Sequence, residues 1–95
     1  MNQRDALIER LKDSLADWNA EIEALAERAR RAGDRTSERH QEDLERLKAQ
    51  RDEARRRLDE LQASGEEAWD DMRQGADEAW EQLREAWKRA SSRFK

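Results

Sequence analysis

The sequence predicts an all-α protein: a long helix of about residues 3–63 turns at 64–66 and returns as a shorter helix of about 66–92, making an antiparallel coiled-coil hairpin. Three observations carry that prediction. Ala, Glu, Lys, Leu and Arg account for 58 of the 95 residues, the composition of long helices and coiled coils. Proline is absent and only Ile8, Ile22 and Thr36 are β-branched, so strands have almost nothing to be built from. Charged residues make up 46% of the chain but sum to a net charge of −4, so self-repulsion does not hold the chain open. A chain of this length fits one helical coiled-coil domain spanning 1–95.

Taken in order, the first helix opens near Asn2 or Gln3, with Asp5 beside its positive N-terminal end. Apolar residues then recur at alternating steps of three and four: Ile8, Leu11, Leu15, Trp18, Ile22, Leu25, Ala29, Ala32, Thr36. That is a coiled-coil seam whose quality declines towards its middle. Leu44, Leu47, Arg51, Ala54, Leu58 and Leu61 keep the same spacing but sit one residue out of register, a step at which a supercoil relaxes. Between the two runs, Gly33-Asp34-Arg35-Thr36-Ser37 weakens the helix, since an interior glycine costs about 1 kcal/mol relative to alanine. Neither a capping box nor a proline enforces a stop there. Continuity gives the hairpin; a break at Gly33 gives the alternative, an up-down-up three-helix bundle.

Ser64-Gly65-Glu66-Glu67 is the clearest turn, because Ser64 and Glu67 have capping-box spacing and Gly65 loosens the chain. Beyond it, Glu-Ala-Trp occurs three times, ending at Trp69, Trp80 and Trp87, eleven and then seven residues apart. Both intervals return a side chain to nearly the same azimuth, so the tryptophans share one helical face with Met72 and Leu83. Ala68, Ala79, Ala86 and Gly75 leave room beside the rings for bulky partners. In the hairpin this face covers Leu44, Leu47, Ala54, Leu58 and Leu61 and leaves Ile8, Leu11, Leu15, Trp18, Ile22 and Leu25 bare. Each such residue left in water forfeits about 1.5–3 kcal/mol. A second copy is the expected cover, in an antiparallel homodimer with closed two-fold symmetry. In the three-helix alternative the stripe folds onto its own chain and a monomer suffices. The fifteen packing or oligomer-interface residues expected are thus six on the first stripe, Leu44, Leu47, Leu58 and Leu61 on the second, and Trp69, Met72, Trp80, Leu83 and Trp87 on the third.

The quoted residues resemble a family. Arg4-Asp5, Leu11-Lys12, the LADWNAEI run from Leu15 to Ile22, the Leu44 to Leu61 run, and the ending EEAWDDMRQGADEAWEQL with Ala90-Ser91-Ser92-Arg93-Phe94-Lys95 are similar to small bacterial coiled-coil proteins often labelled stress-response proteins. The resemblance covers essentially the whole chain and is most specific in DWNAEI and the AW…AW…SRFK tail. It implies a fold and a loose stress-response role, and no reaction. At Gly33 to Ser37 the chain departs from the uninterrupted Ala/Lys/Glu-rich helix of that family.

Reactive chemistry is sparse. With no cysteine there is neither disulfide nor thiolate metal site. His40 is the only histidine; Glu38, Glu42 and Asp43 surround it, but without a second histidine it reads as a seam-edge or solvated side chain, and no metal or other cofactor is expected. Asp70-Asp71 and Glu66-Glu67 read as first-turn acids that complement the helix dipole, not as an acid/base pair. No enzyme is expected. Arg55-Arg56-Arg57 invites a nucleic-acid reading, yet Asp52/Arg56 and Glu53/Arg57 are spaced for helical ion pairs and the chain is acidic overall, so no nucleic-acid partner is expected. No window reaches the roughly 20 apolar residues of a membrane span, and the N-terminus lacks a signal-peptide core, which points to the cytoplasm. The expected function is non-enzymatic interaction and self-assembly, with itself or another protein as partner. Its alternative is peripheral contact of the Trp-rich helix with a membrane surface or an apolar client, disfavoured because Asp70, Asp71, Asp77, Glu78, Glu81 and Glu85 would repel anionic lipid.

Overall fold

The computed structural model describes residues 3–31 and 37–93, the side chains of 37–39 and 93 apart. It contains three helices, α1 (Gln3–Arg31), α2 (Ser37–Ala63) and α3 (Trp69–Arg93), and no strand among the described residues. The all-α expectation therefore holds. The single helix over 3–63 does not: α1 and α2 are separate and pack on each other. The molecule measures 51 × 21 × 17 Å, whereas a straight helix over that span would run about 90 Å. The chain reverses between Arg31 and Ser37; Gly33, Ala32 and Thr36 lie outside the described residues. Energetics explain the difference. Running a helix through poor helix formers costs about a kcal/mol relative to alanines, while each large apolar residue of the first stripe gains about 1.5–3 kcal/mol by finding cover.

Contacts along the helices fix their directions. Arg4, at the start of α1, donates from Nη2 to the Ser64 carbonyl just past the end of α2, and its guanidinium stacks over the Trp69 ring at the start of α3, 4.7 Å from the centroid. Further along, Trp80 reaches Ser14 and Trp87 meets Trp18. Helices α1 and α3 thus run parallel, with α2 antiparallel to both, an up-down-up arrangement.

One core holds them together, formed by Leu15, Ile22 and Leu25 of α1, Leu44, Leu47, Ala54 and Leu58 of α2, and Ala79, Trp80, Leu83, Ala86 and Ala90 of α3. Leu61 and Ala76 are buried as well. Ile8, Leu11, Trp18 and Trp87 pack against this core while half-buried, and Trp69 and Met72 are half-buried too. The stripe that the hairpin would have left bare is covered by its own chain.

Helix α3 has two edges. At about 100° per residue, Trp69, Trp80 and Trp87 fall within about 20° of one another, and Gly75, Ala79, Ala86 and Ala90 lie about 60–120° around from them. The tryptophan edge meets α1. The small-residue edge meets α2, where the Arg57 side chain lies 3.5 Å from the point at which a Gly75 Cβ would sit. Backbones of α2 and α3 approach closely along their length, while those of α1 and α3 are held apart by the rings.

The turn between α2 and α3 also differs in detail from the expected capping box. The Ser64 hydroxyl donates to the Leu61 carbonyl at 2.8 Å and the Ser64 amide to the same oxygen at 3.3 Å, so Ser64 finishes α2 instead of starting α3. Two three-residue turn bonds follow, from Ala68 N to Gly65 O (3.2 Å) and from Trp69 N to Glu66 O (3.4 Å). The helix begins at Trp69, not at about 66. Glu66 and Glu67 stay in the turn, and Asp70 and Asp71 take the first-turn positions that favour the helix dipole.

Candidate functional site

With the core closed, the surface with the most chemical character is the seam between α1 and α3. Three rungs cross it. At one end Arg4 and Trp69 stack beside an open cleft of about 550 Å³ that Gln3 and Glu66 also line. In the middle, Trp80 is only 5% exposed and donates its indole N–H to the Ser14 hydroxyl at 3.0 Å, so the one polar atom of a buried ring is satisfied. At the far end, Trp18 and Trp87 meet edge to face, with centroids 5.6 Å apart and planes at 66°. Edge-to-face geometry suits the charge distribution of aromatic rings and leaves both indoles half-buried at the lip of the groove.

All fifteen residues of the expected interface lie on this bundle, nine buried and six half-buried. Leu15, Ile22, Leu25, Leu44, Leu47, Leu58, Leu61, Trp80 and Leu83 face inward and have no surface to offer a partner. Ile8, Leu11, Trp18, Trp69, Met72 and Trp87 keep part of their surface in solvent. Sequence reasoning missed Arg4 and Ser14. A signal existed for each: Arg4 sits one heptad before Leu11, and Ser14 one turn before Trp18.

The charged faces are internally paired. Arg56 bonds Glu53 at 2.6 Å and Glu60 at 2.5 Å, and Arg57 bonds the same two carboxylates at 3.0 and 3.3 Å. The expected Glu53/Arg57 pair forms. The expected Asp52/Arg56 pair does not, because Arg56 is taken by Glu53 and Glu60, and Asp52 pairs with its neighbour Arg51 at 3.0 Å. The hydrogen bond from Arg56 holds the Glu53 carboxyl below its ordinary value of 4.5 against the opposing effect of burial, with the positive charges of Arg56 and Arg57 adding to it. Arg84 does the same for Glu81, and Glu53 in turn raises Arg56.

His40, expected at the seam edge or in solvent, is buried at 8% exposure, and Asp43 beside it at 7%. His40 falls one turn before Leu44, which carries it under the bundle's end instead of out to water. No group of three metal-ligating side chains occurs among the described residues, nor is any helix there long and apolar enough to cross a membrane. No protein-family model matches the chain, and it matches no curated protein and no solved structure.

Proposed function

We propose that this protein is a non-enzymatic helical interaction module that associates with a second copy of itself through the α1–α3 seam. The half-buried Trp18–Trp87 pair at the lip of the groove carries the reading: two large rings on different helices present a common apolar edge beside Leu11. A patch of this kind is self-complementary about a two-fold axis. Because the deeper seam residues are covered in cis, the interface is small and its dimer weak, unlike the permanent dimer that a bare stripe would demand. A stress-associated role in the bacterial cytoplasm belongs to the same proposal and rests on the sequence resemblance alone.

Static light scattering over a concentration series tests it. Monomer at micromolar concentration passing to dimer at higher concentration is the expected course, with Trp18→Ala/Trp87→Ala abolishing the second species. A wild-type chain that stays monomeric at millimolar concentration refutes it.

A second reading has one observation in its favour: α1 covers the tryptophan edge of α3, so release of α1 would expose Trp69, Trp80 and Trp87 to lipid or to an unfolded client. A blue shift of tryptophan emission that appears only with vesicles or unfolded protein would select it.

A further inference from the structure

Arg51 stands where the α2 seam calls for an apolar residue, between Leu47 and Ala54 in the run from Leu44 to Leu61. Its side chain is only 23% exposed, yet among the described residues its guanidinium is engaged by the adjacent carboxylate of Asp52 alone, through Nε (3.2 Å) and Nη2 (3.0 Å) to one oxygen. That carboxylate is 69% exposed and lies next to Arg51 in sequence, a surface pair of little strength. One turn on, Arg55 is exposed and, unlike Arg56 and Arg57, has no ion pair among the described residues. Across the α1–α2 groove, Leu15 and Asn19 occupy the matching positions one turn apart, and the five side chains line a recess of about 290 Å³. Two arginines and a carboxamide from two helices line that largely polar recess beside Leu15, and the exposed Asp52 carboxylate is the one acidic group among its lining residues. A polar break in an otherwise regular seam lowers stability, and such departures mark positions where something other than folding is served.

We propose that this recess binds a small free oxyanion of the phosphate type. Arg51 and Arg55 donate charge-assisted N–H bonds to its oxygens and the Asn19 amide closes the third side, while Asp52 swings out to solvent as the anion enters. The recess accommodates one phosphate-sized group with its water, and the bundle's acidic surface selects against long polyanions.

The test is an NMR titration of the arginine Nε–Hε signals with inorganic phosphate, at ionic strength held constant with chloride. The Arg51 and Arg55 signals should shift saturably while those of Arg56 and Arg57 stay in place, and thermal unfolding should move upward with phosphate. Arg55→Gln, at an exposed position that leaves packing intact, should weaken binding about tenfold or more; Asn19→Ala should weaken it several-fold. Equal or unsaturable shifts at all four arginines, or an Arg55→Gln chain that binds as before, overturn the assignment. A parallel sedimentation with phosphatidic-acid vesicles separates the free anion from a lipid headgroup: the chain should remain in the supernatant, and sedimentation without a response to inorganic phosphate also overturns it.

Discussion

Helices α2 and α3 meet through alanines and a glycine, whereas α1 and α3 meet through indole rings. The two interfaces use one helix and one period, and differ only in which edge of α3 is presented. Where Ala79, Ala86 and Ala90 face α2, backbones come together, and the turn that joins them is tied by the two hydrogen bonds from Ser64 to Leu61 O and the three-residue turn bonds to Gly65 O and Glu66 O. Where Trp69, Trp80 and Trp87 face α1, three separate rungs hold the helix at a distance. Side-chain size, not hydrophobicity, decides which helices form the tight pair. The consequence is a graded structure: a closely packed α2–α3 hairpin, from which α1 is the element expected to open first.

The largest effect should come where the two interfaces meet. Leu83 is fully buried between the two edges of α3, so Leu83→Ala should cost about 2–5 kcal/mol in denaturant unfolding and loosen both sides together. A loss well under 1 kcal/mol would mean that the edges are not joined through the core. Next, Ala86→Leu forces extra methylenes into the close α2–α3 contact and should cost about 1–3 kcal/mol, with faster amide exchange in both helices. Trp18→Ala acts on the other interface. It removes a ring pair worth about 0.5–1.5 kcal/mol beyond its buried area, and amide exchange should rise along α1 while α2 and α3 keep their protection. Equal loss of protection in all three helices would erase the distinction between the interfaces.

The smallest effect concerns the ion-paired faces, which flank the interfaces and reach one of them only where Arg57 lies over Gly75. Glu53 and Glu81 have folded-state values below their ordinary 4.5, so each contributes stability that is present above that value and is lost as the pH falls through the depressed one. Urea midpoints should drop below pH 4.5, and Glu53→Gln should flatten that part of the profile. Because these groups are largely solvated, added salt should shrink the difference. A midpoint that rises on acidification would contradict the sign.

Helical class, the tryptophan face and the leucine run were legible in the residues because composition and period act locally. The reversal between α1 and α2 was not. Gly33 to Ser37 weakens a helix by little more than 1 kcal/mol, and whether it gives way depends on what covers Leu15, Ile22 and Leu25. A second copy and the chain's own hairpin offer those residues the same kind of cover, so the apolar pattern alone cannot choose between them. Ser64 shows a local signal outcompeted: its spacing to Glu67 suits a cap for α3, but its hydroxyl goes to the nearer Leu61 carbonyl. Arg4 and Ser14 acquire their roles only once α3 lies beside α1: their spacing to Leu11 and Trp18 marks the face they share, but not the ring each one meets.

The return of α1 onto its own α2–α3 hairpin is best tested by a distance within one chain. Spin labels on cysteines introduced at Glu9 and Asp70, both exposed, would be measured by double electron–electron resonance in a large excess of unlabelled protein. Parallel neighbouring helices with axes about 8–10 Å apart predict a separation of about 20–30 Å once the label arms are included. A value near 80 Å, the reach of one unbroken helix from residue 9 to the turn at about 1.5 Å per residue, would contradict the closed bundle.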